Sequence, residues 1–308
     1  MNKRDAIDLV LLAALWGASF LFIRIAAPQF GAFPLMALRT GIGTLVLLPF
    51  LLRERRAVAA LHSHAGRIAG MGLLNSALPF VMFGYAMQYL NAGFTSILNA
   101  TTPFWGAVVA YVWLGERLGA MRVFGLVVGF GGVLVLVWGR VSFAEGGFGL
   151  PILATLVATL SYAVAATATK KHLGDLSALT GAAGSLLAAT LMLLPFAIAR
   201  WPAQPPDLRA WASVALLGVL CTGLAYLLFF RLIARIGSTR SVTVTFLIPV
   251  FAMLWGALFL GESVSARMLA GAATILAGTL LTTGLLVSWR RSPVVHRDAD
   301  ASTGPPSG

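Results

Sequence analysis

The sequence is poor in charge. Asp, Glu, Lys and Arg make up 10% of its 308 residues while 59% are hydrophobic. A soluble globular chain carries about 25% charged residues, so too few remain here to solvate a globule of this size. Cysteine is nearly missing. Cys221 stands alone, which excludes an internal disulfide and a cysteine metal cluster and leaves a small packing residue inside an apolar run. Acids and histidines are absent from the apolar runs: every carboxylate falls in a tail, a loop or a helix end, and His62, His64, His172 and His296 lie outside. An intramembrane hydrolase needs a nucleophile with a nearby base. A membrane metalloenzyme needs clustered His or carboxylates, and a prenyl-transfer enzyme needs acidic clusters for magnesium and pyrophosphate. None of these sets is present, so no catalytic role, cofactor or metal is expected. The short segments of alternating polarity that mark an outer-membrane barrel are missing too.

What is present is a series of apolar runs, each of about 17 to 25 residues, the length that crosses roughly 30 Å of hydrocarbon. Mean hydropathy is +0.89. We read an all-α polytopic membrane protein with ten transmembrane helices over residues 6–26, 33–52, 68–89, 94–114, 122–139, 149–169, 178–198, 212–233, 240–260 and 268–289. The first run has no small-residue cleavage site behind it and reads as a retained span. Residues 291–308 are polar, rich in Pro, Gly and Ser, and read as a disordered tail. The net charge of +12 does not point to nucleic acid, because the basic residues sit in short loops and tails. With the N-terminus placed inside, sixteen Lys and Arg fall on the inner side and six on the outer, Arg24 and Arg39 included. The positive-inside rule then puts both termini in the cytoplasm of a bacterial-type inner membrane.

A repeat organises these spans. Asn91–Glu116 reads NAGFTSILNATTPFWGAVVAYVWLGE, and Gly237–Glu262 reads GSTRSVTVTFLIPVFAMLWGALFLGE. Pro103 and Pro249 are 146 positions apart, as are Gly115 and Gly261, Glu116 and Glu262, Arg24 and Lys170, Trp16 and Tyr162, Gly72 and Gly218, Gly125 and Gly271, and Gly132 and Gly278. Repeated Pro, Gly and Glu matches at one offset mean duplication, with halves at 1–146 and 147–290. Each half has five spans. Five is odd, so the second half enters the membrane from the opposite side, giving a 5+5 inverted-topology repeat. That plan is common among secondary transporters and places the substrate near the midplane between the halves.

Candidate site residues follow from helix chemistry. A proline within a helix frees the carbonyl four residues earlier, which is tolerated in lipid where protein or a water-filled cavity satisfies it. Pro79, Pro103 and Pro249 free the carbonyls of Asn75, Asn99 and Thr245. Four residues of spacing put each polar side chain on its proline's face. Thr102 shares the face of Asn99. Trp16 and Tyr162 occupy equivalent positions in the two halves, and Phe83, Tyr85, Trp105, Tyr226, Phe230 and Trp255 lie at similar depth. Mixed aromatic and polar walls are the usual form of a small-ligand site. Arg39, about 9 Å along its helix, reads as snorkelling to outer headgroups or as structurally paired, although a charge there would also attract a carboxylate. Arg24 and Lys170 read as snorkelling ends. Glu116 and Glu262 read as structural, favouring the next helix N-terminus.

Residues 11–50, LLAALWGASFLFIRIAAPQFGAFPLMALRTGIGTLVLLPF, with the Pro103 and Gly115-Glu116 pattern, the glycines at 125 and 132 and their second copies, resemble EamA-type repeats. The chain is therefore identified, over about residues 6–288, as similar to the ten-helix branch of the drug/metabolite transporter superfamily, and most like YddG-type exporters. That resemblance implies outward movement of amino acids, aromatic ones included, and of related metabolites, through a cavity formed mainly by helices 1, 3, 4, 6, 8 and 9. The helix 1 acid of the small multidrug pumps is absent here, which favours facilitated diffusion or exchange over proton coupling. The expected substrate-binding set is Trp16, Asn75, Pro79, Phe83, Asn99, Thr102, Pro103, Tyr162, Thr245 and Pro249. The expected partners are a small-molecule substrate and the lipid bilayer, with a monomer as the unit. A second reading stays open: export of other small organic metabolites or lipophilic cations, with proton coupling.

Overall fold

The computed structural model describes residues 2–54, 57–144, 146–172 and 176–283; the expected tail at 291–308 lies outside them. Ten apolar helices carry the described chain: α1 (Lys3–Phe30), α2 (Ala32–Leu51), α3 (Ala65–Ala86), α4 (Ala92–Leu114), α5 (Ala120–Val137), α6 (Gly149–Lys171), α7 (Ala178–Ala199), α8 (Leu208–Ile236), α9 (Val244–Leu260) and α10 (Ala266–Thr283). At 1.5 Å per residue even the shorter ones cover about 25 Å, enough to cross most of a bilayer. Large apolar side chains such as Leu45, Val112, Leu134 and Leu258 are exposed on the outside of the bundle, a surface suited to lipid and not to water. The fold is that of an all-α polytopic membrane protein.

Two departures from the expected spans are local. The segment Ala57–Ser63 forms a short helix between α2 and α3. The ninth span starts as a separate turn, Ser238–Ser241, before α9 proper. Gly115 and Gly261 close α4 and α9 in the left-handed region, at φ 68 and 65, where a side chain on Cβ is disfavoured. That explains why Gly precedes Glu at both ends.

The packing repeats itself across the two halves. α2 lies against α7, its own repeat, and α5 against α10. α1 packs on α9 and α8, and the equivalent α6 packs on α4 and α3. α8 lies on α2 as α3 lies on α7. The strongest contacts thus recur when the halves are exchanged, the pattern that a two-fold relation between two five-helix units gives. Small residues let these helices approach closely, as in membrane bundles generally. A Cβ at Gly278 would lie 2.6 Å from the Gly129 Cα, and one at Gly125 would lie 2.7 Å from the Thr282 backbone N. Gly72 likewise faces the Ser185 carbonyl of α7, and Gly218 faces Ile42 of α2. These glycines are close contacts between the halves.

α3 and α8 each contain a turn of π-helix, Leu73–Ala77 and Val219–Leu224. The two turns begin 146 residues apart. Pro79 follows the first, but its counterpart after the second is Ala225, so proline does not create the wide turn. A wide turn strands carbonyls that lipid will not satisfy. Ser161 Oγ donates to the Leu74 carbonyl at 2.7 Å, and Thr222 Oγ1 donates to the Leu217 carbonyl at 2.9 Å.

Replacing Gly278 with Val forces α5 and α10 apart. Overpacking of this kind costs about 1–3 kcal/mol. Thermal unfolding in detergent is expected to show a lower midpoint for Gly278→Val and no loss for Gly131→Ala, where a Cβ meets open space.

Candidate functional site

Between the halves lies a cavity of about 660 Å³, within the range typical of small-ligand sites. Near the middle of the bundle its wall is aromatic. Trp16 comes from α1, Phe80 and Phe83 from α3, Tyr162 from α6, and Tyr226, Phe229 and Phe230 from α8. Tyr162 stacks on Phe83 with centroids 6.1 Å apart, and Tyr226 stacks on Phe230 at 5.8 Å. From there the lining runs to one end of the bundle only, through Gly106, Thr169, Ala178, Val242 and Thr283. α2, α7 and α10 contribute wall residues, so the lining is wider than the six helices that the resemblance implies.

Trp16, Asn75, Phe83, Asn99, Thr102, Pro103, Tyr162 and Thr245 all lie on this wall. Pro79 and Pro249 do not. Pro79 is buried in the first turn after the π-helix, and that extra-wide turn rotates it off the face of Asn75. α9 turns Ile248 to the cavity instead of Pro249. Of the other aromatics considered, Tyr226 and Phe230 line the cavity, and Tyr85, Trp105 and Trp255 do not; Trp255 Nε1 instead donates to the Ala14 carbonyl at 3.1 Å. The carbonyl freed by Pro103 is not bare either, because Thr102 Oγ1 donates to the Asn99 carbonyl at 2.8 Å. What Asn99 offers is its side chain: Oδ1 is buried and accepts no protein hydrogen bond.

Arg39 does not snorkel. It is 7% exposed and reaches the cavity from α2. Its Nε donates to Thr222 Oγ1 at 3.1 Å, and its guanidinium carbon sits 3.8 Å from the centre of the Phe80 ring. The titratable groups around it are Tyr162, Tyr226 and Cys221. No carboxylate pairs with it among the described residues. Of the readings open for Arg39 in the sequence, snorkelling is excluded; its repeat partner is Ser185, so the charge breaks the symmetry.

The end away from the cavity mouth is tied shut by polar contacts. Arg24 Nη1 donates to the carbonyls of Met87 at 2.8 Å and Gln88 at 3.0 Å, and Nε lies 3.7 Å from Glu262. Glu262 in turn accepts from the Ala92 backbone N–H at 2.9 Å, capping α4. It does not cap the next helix, α10, where the Ser265 hydroxyl accepts from the Met268 N–H. Gln29 and Asp207 exchange two hydrogen bonds, and Phe30 meets Trp211 edge-on at 4.9 Å. At the mouth, the symmetry-equivalent pair Lys170–Glu116 is 3.0 Å apart but exposed. Arg24 and Lys170 are therefore paired ends that bridge the two halves.

The profile of the EamA-like transporter family matches residues 6–138 and again 149–284. The chain belongs to the EamA-like transporter family. It is 24% identical over 284 residues to the transporter YoaV of Bacillus subtilis (strain 168), covering 90% of this chain and 96% of that one. A probable terminal-alkyne amino-acid exporter of Streptantibioticus cattleyicolor is 26% identical, with 92% and 94% covered. A probable amino-acid metabolite efflux pump of Escherichia coli (strain K12) is 23% identical, with 95% and 98% covered. A solved crystal structure superposes with a TM-score of 0.61 at 20% identity, over 95% of this transporter and 100% of that chain, a likeness of fold.

Burial raises the pKa of Glu262 above its ordinary 4.5, against the Ala92 N–H and Arg24, which lower it. A carboxylate whose folded pKa is raised lowers stability above its unfolded pKa, and that penalty disappears as pH falls through the folded value. Between pH 7 and about 4.5, thermal unfolding is expected to show the wild type gaining stability relative to Glu262→Gln. A constant difference across that window contradicts this.

Proposed function

We propose that this transporter exports amino acids, aromatic and apolar ones among them, and related small metabolites, by alternating access across a bacterial-type inner membrane. The observation that carries this reading is the cavity between the two halves, aromatic-walled with a few polar groups, reaching one end of the bundle. Two of the relatives bear amino-acid export or efflux in their names, which agrees. Both termini lie on the cytoplasmic side by the distribution of Lys and Arg. On that orientation the mouth beside Thr169 and Ala178 opens to the cytoplasm, where an exporter loads.

Transport follows from the pseudo-symmetry. The closed end joins Glu262 to the Ala92 N–H and Arg24 to two carbonyls. Exchanging the halves, Glu116 reaches the Ser238 N–H and Lys170 reaches the carbonyls of Ile233 and Ala234, while the Arg24 cluster opens. The substrate, held near the aromatic layer, then faces the other side. Facilitated diffusion or exchange suits a cavity with no carboxylate or histidine lining it among the described residues. Export of lipophilic cations suits it less, because the charge that lines it among the described residues, Arg39, is positive.

The test is uptake of a labelled amino-acid panel into proteoliposomes, with and without a proton gradient. Saturable flux of aromatic or apolar amino acids without a gradient is expected, with Asn99→Ala reducing it and Glu116→Gln slowing it at unchanged half-saturation. No saturable amino-acid flux sinks the substrate reading, and strict dependence on the gradient sinks the uncoupled mechanism.

A further inference from the structure

A buried cation without a counter-ion is costly. The desolvation penalty is several kcal/mol per ion, and bundles normally offset it with a carboxylate. Arg39 has none. Its surroundings hold it in place all the same, and they do so in a particular orientation. Thr222 Oγ1 donates its own hydrogen to the Leu217 carbonyl, stranded by the π-helix of α8. Its lone pairs are thereby turned to Arg39 Nε, which donates to it. Phe80 covers one face of the guanidinium. The Nε edge and one face are occupied. The edge left over is the Nη1–Nη2 fork, for which no protein acceptor is found among the described residues. That fork is the geometry that takes a carboxylate with two parallel hydrogen bonds.

The symmetry-related positions offer no duplicate of the cationic end. Ser185 stands in place of Arg39 and Ser76 in place of Thr222, so the positive end is single and the cavity is polar in one sense only.

We infer that Arg39 is the carboxylate anchor of the transport cavity. The transporter is thereby specific for compounds with a free carboxylate, and it rejects the corresponding amines. This rests on the proposed role of the cavity as the transport site and deepens it. Thr222 acts as a positioning residue through Arg39, and Phe80 as its platform.

The experiment compares phenylalanine, its amide and phenethylamine as ligands of the full-length transporter in detergent, following Trp16 fluorescence in a background where other tryptophans serve as reference, together with proteoliposome flux of phenylalanine. Wild type is expected to bind phenylalanine and to discriminate against the amide and the amine. Truncating one partner of a buried charged contact weakens binding by about a hundredfold or more, so Arg39→Gln is expected to lose that much affinity for phenylalanine and little for the amide. Arg39→Lys keeps the charge without the fork and falls between. Thr222→Val, which leaves the charge but frees Nε, is expected to weaken phenylalanine binding about tenfold while the amide is unaffected. Retained folding is read from the monodisperse elution of each variant. If wild type transports phenylalanine but Arg39→Gln and Thr222→Val keep the carboxylate preference, the anchor is overturned while the transport reading stands. If wild type neither binds nor moves any amino acid, the transport reading itself fails.

Discussion

Two helices lying against their own repeats set the form of this molecule. α2 on α7 and α5 on α10 straddle the axis that relates the halves. Glycines at the second crossing bring backbone within reach of backbone: Gly278 against Gly129, and Gly125 against Thr282. With α5 joined to α10 and α2 to α7, the remaining six helices, together with wall residues of α2, α7 and α10, surround what lies between. The cavity is what is left when helices of fixed diameter close around two such seams. In lipid this closure is held by packing and by internal satisfaction of polar groups, since there is no water to expel. Buried threonines show how far that satisfaction goes. Thr40, Thr44 and Thr155 each donate back to a carbonyl four residues earlier.

Symmetry of the fold coexists with asymmetry of the ends. The Arg24 and Lys170 pairs are equivalent by position, yet one is a half-buried cluster that caps a helix and the other an exposed contact. Ion pairs of this kind contribute little to stability. In the proposed carrier, such pairs would serve to select between two arrangements, one open to each side.

Much of the architecture is readable in the chain because its markers are chemically distinctive. Pro103 and Pro249, Gly115 and Gly261, and Glu116 and Glu262 recur at one offset, and no apolar background produces that by accident. Trp16, Phe83, Tyr162 and Asn99 are also legible as wall residues, since each is an aromatic or polar residue within a span. Arg39 was not. Whether a long cation turns outward to headgroups or inward to a cavity depends on Thr222 and Phe80, far away in sequence and presented in one case by a π-turn that no local pattern signals. The same wide turn in α3 defeats the four-residue spacing that linked Pro79 to Asn75. Ideal helix periodicity holds only until the register slips, and in this fold it slips beside the site.

The central claim is that one cavity is exposed to one side at a time and is occupied by the cargo. Gly106 lies on its wall, and a Cβ there meets nothing within 4 Å. In a Cys221→Ser background, Gly106→Cys is to be labelled in membrane vesicles of each orientation by a charged thiol reagent that does not cross lipid. Without substrate, labelling is predicted from the side bearing Thr169 and Ala178, with little from the opposite side, and a transported amino acid is predicted to slow it. Equal labelling from both sides, or labelling indifferent to every amino acid that the protein transports, contradicts the account.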